Sequence, residues 1–392
     1  MKSATSTVCR AAIYLSACAL NGLSPSKEYL EGIDTDAVYA FSARHSIGTL
    51  VCSSLEKLGL ARHEAIANKN SAIRKIMLFN AERTEILSTL EREGIKYMPL
   101  KGVYLKEMYP SIGDREMSDN DILFDISARK RVREIMTERG YKTESYNQDN
   151  DDVYIKPPVY NFEMHVSLFA DELDDSIREY FEKAFDRAEK LPGTDFGYRM
   201  SDADFYIYQK AHEYKHYANS GVGIRALTDT YVMLCTIGDA ICSEYTRKEL
   251  EKLGILNYER EVCQLSEKLL SRAFAENPPE SLSDILTEKE IELLRYMATS
   301  GTYGNKEREV ENRLKRNTEE TGSERRAKRK MLREKLFPPM SYYKSRYPFF
   351  YRHKYLIPFF VIWRFIKTIF TRPIAACRQL ARISGSKTGK SK

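Results

Sequence analysis

What the chain lacks narrows its class first. Its seven cysteines, Cys9, Cys18, Cys52, Cys235, Cys242, Cys263 and Cys377, form no Cys-x-x-Cys pair, and their number is odd. Most lie in apolar helical contexts, which fits reduced, buried thiols in a cytoplasmic protein rather than a disulfide framework. No uncharged run approaches the ~18 apolar residues of a membrane span. Residues 11–20 are only weakly apolar, abut Arg10 and lead to no small-x-small site, so an amphipathic first helix is expected there, not a signal peptide. Acidic residues stop at Glu334: residues 301–392 hold 24 Lys+Arg against 7 Asp+Glu, whereas residues 1–300 hold 38 against 49. The overall charge of +6 thus hides an acidic body followed by a basic arm. With 392 residues, 42% hydrophobic and 30% charged, the chain has the composition of a soluble globular protein with one large core or a few smaller ones.

The most informative stretch runs from 97 to 169. An apolar run, Tyr97-Met98-Pro99-Leu100-Lys101, stops at Gly102, and a short helix-like segment leads to the breaker run at 109–113. Arg115 then precedes Asp119-Asn120-Asp121, which opens the apolar strand Ile122-Leu123-Phe124. Residues i and i+2 of a strand share a side, so Asp119 and Asp121 project together. Like charges on one face repel, and a pair held at a strand start binds a hard cation through its oxygens. Further on, residues 160–169 alternate: Phe162, Met164, Val166 and Leu168 take one face, Glu163, His165 and Ser167 the other. If this strand lies beside the one opened by Asp119, three acids converge. Mg²⁺ favours one or two carboxylates plus phosphates and water, and two such ions clamp both oxygens of a phosphoryl displacement. A glycine after the first strand permits close backbone approach to a phosphate.

This order of motifs resembles the nucleotidyltransferase superfamily with the DNA polymerase β-like palm. Within it, the order Leu-Lys-Gly, Tyr-Pro, Arg and Asp-x-Asp is most similar to a bacterial family of uncharacterised nucleotidyltransferases. The resemblance implies Asp119 and Asp121 as metal ligands, Glu163 as the third acid and Gly102 beside the triphosphate. The chain departs from the superfamily in two places. Gly102-Val103 replaces Gly-Gly or Gly-Ser, which removes hydroxyl help to the phosphates, and Asn120 stands where an apolar residue is usual. Lys101 and Arg115 are candidates for neutralising triphosphate charge, and His165, on Glu163's face, for orienting that carboxylate.

The fold expected is α+β: a polymerase β-like palm with a small mixed sheet, helical regions around it and a basic helical arm. The expected divisions are an N-terminal helical region 1–93, the palm 94–195, a helical domain 196–300 and the arm 301–392. Within the palm, a helix capped by Ser127 is expected over 127–139 and another over 171–188, and the acidic cluster 149–152 reads as a solvated loop. Farther along, His212-Glu213-Tyr214-Lys215-His216 is a literal His-Glu-x-x-His, the zinc-protease spacing, but the downstream third-ligand candidates, Asp229 and Asp239, are generic. The related nucleotidyltransferases carry a helix with spaced histidines here, followed by Arg-x-x-x-Asp. That pattern is matched by Arg225 and Asp229, and it implies His212, His216 and Arg225 near phosphates.

In the arm, 306–336 reads as a solvated charged helix that ends at Phe337-Pro338-Pro339. Phe359, Ile362, Trp363, Ile366 and Phe370 then share a helical face, for docking on a membrane surface, on a partner or on the chain's own body. The activity expected is Mg²⁺- or Mn²⁺-dependent transfer of a nucleoside monophosphate from an NTP to an unidentified acceptor, with release of pyrophosphate. The protein is expected in the cytoplasm or peripheral to a membrane, with the arm offered to an anionic surface, membrane or RNA. The alternatives are a non-catalytic nucleotide-binding regulator on the same fold, a toxin-like RNA-modifying enzyme and a His-Glu-x-x-His zinc protease.

Overall fold

A computed structural model describes residues 3–169, 175–302, 304–338, 340, 342–343 and 347–371. They form a mixed α+β protein, mostly helical, with a five-stranded mixed sheet. The chain divides into two compact units, one of residues 1–215 and 222–302, the other of 216–221 and 303–392.

The first unit opens with α1 (Ser3–Leu20), α2 (Thr35–Arg44) and α3 (Gly48–Lys57). Asp34 caps α2 by accepting from the backbone N–H groups of Asp36 and Ala37, which satisfies two otherwise orphaned donors. The long α4 (His63–Arg92) follows, and its buried Ile76, Phe79, Ile86 and Leu90 form one stripe at helical spacing. Gly94, at φ +69°, ends it in a left-handed turn, and the Ile95 N–H closes back onto the Leu90 carbonyl.

Next come β1 (Tyr97–Pro99), α5 (Gly102–Leu105), β2 (Asn120–Phe124), α6 (Arg129–Glu138), β3 (Lys142–Ser145), β4 (Asp151–Lys156) and β5 (Tyr160–His165). The strands lie in the order β1-β2-β5-β4-β3, all neighbours antiparallel except β2 and β5. In that parallel pair Asp121 stands opposite Glu163 and Leu123 opposite His165. Because side chains alternate, Ile122, Phe124, Phe162 and Met164 face one way, into a core with Ile86 and Leu90 of α4 and Val132, Ile135 and Met136 of α6. Each such fully buried side chain contributes roughly 1.5–3 kcal/mol through removal from water.

The other face of the sheet carries Met98 and Leu123 into a second core. It is completed from α7 (Asp175–Phe181) and, beyond the small hairpin β6 (Glu189–Lys190) and β7 (Tyr198–Arg199), from α8 (Asp202–Ala218), α9 (Arg225–Ile241) and α10 (Glu244–Lys252). Helices α11 (Leu256–Leu270), α12 (Arg272–Glu276) and α13 (Glu288–Ser300) finish the unit. A fully buried His45 ties three of its segments together: Nδ1 accepts from the Ile224 N–H at 3.2 Å, and Nε2 donates to the Ala298 carbonyl at 3.2 Å.

Three local expectations are corrected. Asp125, not Ser127, supplies the side-chain cap before α6, accepting from the Ser127 N–H, and a 3₁₀ turn precedes the α-helix. The expected helix over 171–188 is interrupted: α7 stops at Phe181 and a 3₁₀ turn follows at Ala184–Arg187. The start of that expected helix, 171–174, lies outside the described residues. The acidic cluster 149–152 is not all solvated loop either. Asp151 and Asp152 belong to β4, and Asp152 is fully buried against Arg129, with N–O distances of 2.8 and 2.6 Å. A paired guanidinium makes that burial tolerable, where a turn would have left the carboxylate in water.

In the second unit the charged run is a helical hairpin rather than one helix. Helices α14 (Lys306–Thr321) and α15 (Glu324–Leu336) are separated at Gly322, which takes the left-handed conformation at φ +66°. Leu314, Ala327 and Met331 are buried between them, with Val310 and Leu332 alongside, so these five sparse apolar residues serve one seam. Asn312 donates to the carbonyls of Tyr217 and Asn219, which joins the 216–221 segment to this unit. Nearer the C-terminus, Phe360 of the helix Ile357–Thr371 packs among Tyr343, Tyr347 and Phe350.

Candidate functional site

The parallel register of β2 and β5 brings the two strands' polar side chains to one face. Asp121, Glu163 and His165 offer ligand atoms all within 4.8 Å of one another, and among the described residues this is the grouping with metal-ligand geometry. Lys101 reaches the same point: its Nζ lies 2.7 Å from Asp121 Oδ1. His165 Nε2 donates to that oxygen at 2.9 Å and stands 3.8 Å from Glu163 Oε2. Asn150 Nδ2 donates to His165 Nδ1 at 3.2 Å and to the Ser167 carbonyl at 3.1 Å, so the imidazole proton is directed onto Nε2. His165 therefore orients Asp121 rather than the expected Glu163.

The electrostatics follow from this crowding. Burial would raise the Asp121 carboxyl, but the Lys101 ammonium and His165 hold it well below the usual carboxylate range. Burial would lower Lys101, but the charge and hydrogen bond of Asp121, together with Tyr208 and Glu163, lift it above an ordinary lysine. Glu163, half-buried beside Asp121 and Asp119, is pushed up to about 8 by partial burial and then by their charges. Asp119 is raised by burial and by the Asp121 charge. It precedes the β2 ladder and stands outside the tight grouping, its Oδ2 accepting from Ser118 Oγ at 2.8 Å.

Lys101 occupies an unusual backbone position, φ +42° and ψ −114°, at the start of α5. Such a conformation in a residue other than glycine costs on the order of 1–3 kcal/mol and persists where its surroundings over-determine it. Here the Leu100 N–H is held by the Asp121 carbonyl at 2.9 Å, and the Lys101 carbonyl accepts from Tyr104 and Leu105. The turn carries Lys101 from the edge of β1 back over β2.

Arg115 has a different place from the one expected, and Gly102 lies against it. A Cβ on Gly102 would lie 2.7 Å from an Arg115 guanidinium nitrogen and 3.3 Å from the Met117 methyl. Arg115 thus makes a close approach at this glycine. Arg115 is itself buried, with Nε and a terminal nitrogen 2.8 and 3.1 Å from the two Asp229 oxygens. Tyr109 donates to the same carboxylate at 2.8 Å. This pairing draws α9 onto the 109–115 segment. Arg225 lies one turn before Asp229, 3.9 Å from it, and its charge also acts on Asp119.

His212 sits on α8 with its ring 6.3 Å from that of Tyr208. Between His212 and His216, Glu213 is buried, accepting from Tyr258 at 2.8 Å and from Lys210 at 3.3 Å. A protease of the His-Glu-x-x-His type needs that carboxylate free as a base, and here it is engaged inside the core.

Three neighbours were missed in the sequence. Arg83 of α4 donates to Asn120 Oδ1 at 2.9 Å from behind the strand, which accounts for the polar residue between the aspartates. Its signal was present: position 83 falls on the apolar stripe of α4. Lys75 donates to the Ser118 carbonyl at 3.2 Å. Tyr208 is fully buried within electrostatic range of Lys101, Asp121 and Glu163, and its hydroxyl has no partner among the described residues. Nothing in its helical context distinguishes it from a core tyrosine.

Against known proteins, the model of a family described as uncharacterised nucleotidyltransferase matches residues 31–271. No curated protein and no solved structure matches the chain.

Proposed function

The chain belongs to the family of uncharacterised nucleotidyltransferases, and from that premise we propose that it transfers a nucleoside monophosphate from an NTP to an acceptor hydroxyl or phosphate on a polymerase β-like palm. The observation that carries the reading is the parallel register that sets Asp121 against Glu163. It converges hard oxygen donors, and the upward shift of Glu163 to about 8 comes first from burial and then from the Asp121 and Asp119 charges, a repulsion that a divalent cation would relieve. The residues thus fit such a cation. Asp119 and Asp121 would hold two Mg²⁺ or Mn²⁺ ions, and Glu163 the one on the acceptor side. Bound there, the cations supply neutralisation of triphosphate charge and a lowered acceptor pKa.

The chain's own residues do the rest. His165 fixes the Asp121 carboxylate through its Nε2–H, and Asn150 fixes His165. Lys101 keeps Asp121 ionised and presents its ammonium where phosphate charge would develop. Arg225, whose charge acts on Asp119, and His212 are assigned to the phosphates. In the reaction the acceptor oxygen forms a bond to the α-phosphorus as the bond to the bridging oxygen breaks, pyrophosphate leaves, and the acceptor's proton is released to the site.

The test is label transfer from each α-labelled NTP, with Mg²⁺ or Mn²⁺ and a cell extract as acceptor pool. Transfer that disappears in Asp119→Ala and Asp121→Ala is the expected result. Absence of transfer with every NTP, and NTP binding unchanged in both variants, would overturn it. One observation favours a second reading, a nucleotide-binding regulator without turnover: the Lys101 ammonium already neutralises Asp121. Metal-dependent NTP binding without label transfer would identify that case.

A further inference from the structure

The helix Ile357–Thr371 is apolar on more than the face it packs. Phe360 and Val361 are buried, with Phe360 packed at tilted and edge-on angles among Tyr343, Tyr347 and Phe350. On the outward side Phe359 is 70% exposed, Ile362 58% and Trp363 52%, and the preceding Phe349 and Tyr355 are 59% and 72% exposed. Spacings of three and four residues place Phe359, Ile362 and Trp363 on one stripe, one turn long, and in the sequence Ile366 and Phe370 continue it. Phe359, Ile362 and Trp363 of the expected stripe thus lie on the outer face of the helix, while docking within its own unit uses Phe360. Large aromatic and aliphatic side chains standing together in water mark an interaction surface.

The charge around this face says what it meets. From 335 to 392 the sequence holds 13 Lys+Arg and no Asp or Glu. Arg352 and Lys354 flank the exposed Tyr355, and Arg364 and Lys367 lie along the helix itself. At fifteen residues the helix is short, and among the described residues no helix is long and apolar enough to cross a membrane. An RNA backbone would be served by the cations alone, with aromatics as stacking platforms. It has no use for Ile362 and the further isoleucine of the stripe. Apolar side chains with a tryptophan, rimmed by cations without a single acid, fit the boundary between anionic headgroups and acyl chains.

We propose that the outer face of the helix Ile357–Thr371 docks on an anionic phospholipid surface, lying in its plane, with Phe359, Ile362 and Trp363 inserted and the surrounding lysines and arginines on the headgroups. The inference is independent of the nucleotidyl-transfer reading, since none of its residues belongs to that site.

Co-sedimentation of the full chain with vesicles tests it, using phosphatidylcholine alone and phosphatidylcholine mixed with phosphatidylglycerol. Binding to the mixed vesicles at least about tenfold tighter, weakened by salt, is expected. Phe359→Ser/Ile362→Ser should lose most of it with an unchanged thermal melt, because both side chains are already exposed. Trp363 fluorescence should shift to the blue on the mixed vesicles only. Equal binding to both vesicles, or to neither, would overturn the proposal. So would salt-sensitive binding of a single-stranded RNA without vesicle binding. A concentration-dependent dimer abolished by the same double substitution, in a chain that ignores vesicles, would assign the face to a second copy instead.

Discussion

Replacing Asp229 with alanine separates two roles for Arg115, a phosphate ligand or a structural cation. Both Asp229 oxygens accept from Arg115, at 2.8 and 3.1 Å, and one also accepts from Tyr109 at 2.8 Å; pair and tyrosine are buried. Removing the carboxylate leaves a buried guanidinium without its counter-charge, and breaking such a pair from one side costs about 3–5 kcal/mol. The tyrosine hydroxyl also loses an acceptor. Replacing both ends with apolar residues of similar volume, Arg115→Met/Asp229→Leu, removes the uncompensated charge. It should cost far less than the sum of the two single changes. Urea unfolding is the assay, with the midpoint shift read at constant slope. A loss under about 1 kcal/mol for Asp229→Ala, together with a weaker KM for NTP and no recovery in the double variant, would refute the reasoning and return Arg115 to the triphosphate.

Two further outcomes are expected. His45 is held neutral, its pKa lowered to about 4 by burial and then by the Arg44 charge. The unfolded chain therefore takes up a proton before the folded one does, and stability should be full above pH ~6.5 and decline down to about 4, by roughly 3 kcal/mol in all. His45→Gln, compared with the parent by denaturation at several pH values, should flatten this decline, and an unchanged pH dependence would refute it. Behind the aspartates, Arg83→Leu leaves the buried Asn120 carbonyl oxygen without its donor. It should cost about 1–3 kcal/mol and weaken Mn²⁺ binding, while Arg83→Leu/Asn120→Leu should recover the stability. A double variant as unstable as the single one would show that the pair does more than satisfy itself.

Much of the site's list of parts was legible in the chain, because strand alternation is a local property. Asp119 and Asp121 at a strand start, and Glu163 and His165 opposite Phe162 and Met164, follow from period-two spacing alone, and the helical stripe of α4 follows from the 3.6-residue period. The partners within that list were not legible. Whether Arg115 faces a phosphate or a carboxylate depends on Asp229, more than a hundred residues away, and only packing α9 against the 109–115 segment decided it. The same holds for Gly102, whose missing side chain makes room for that arginine, and for Asp152, which a turn-rich composition assigned to solvent before Arg129 claimed it. The helical hairpin of the basic arm rests on one glycine and a handful of apolar residues too sparse to show a seam in one dimension.

By itself the sequence determined the elements that depend on near neighbours: strand faces, helix stripes, several of the breaks, and the charge of the two halves. The tertiary structure decided which charges meet. A buried ion pair is set by geometry across the fold, and desolvation makes each cation take the carboxylate that packing brings within about 3 Å. That is why Lys101 stands on Asp121 and Arg115 on Asp229.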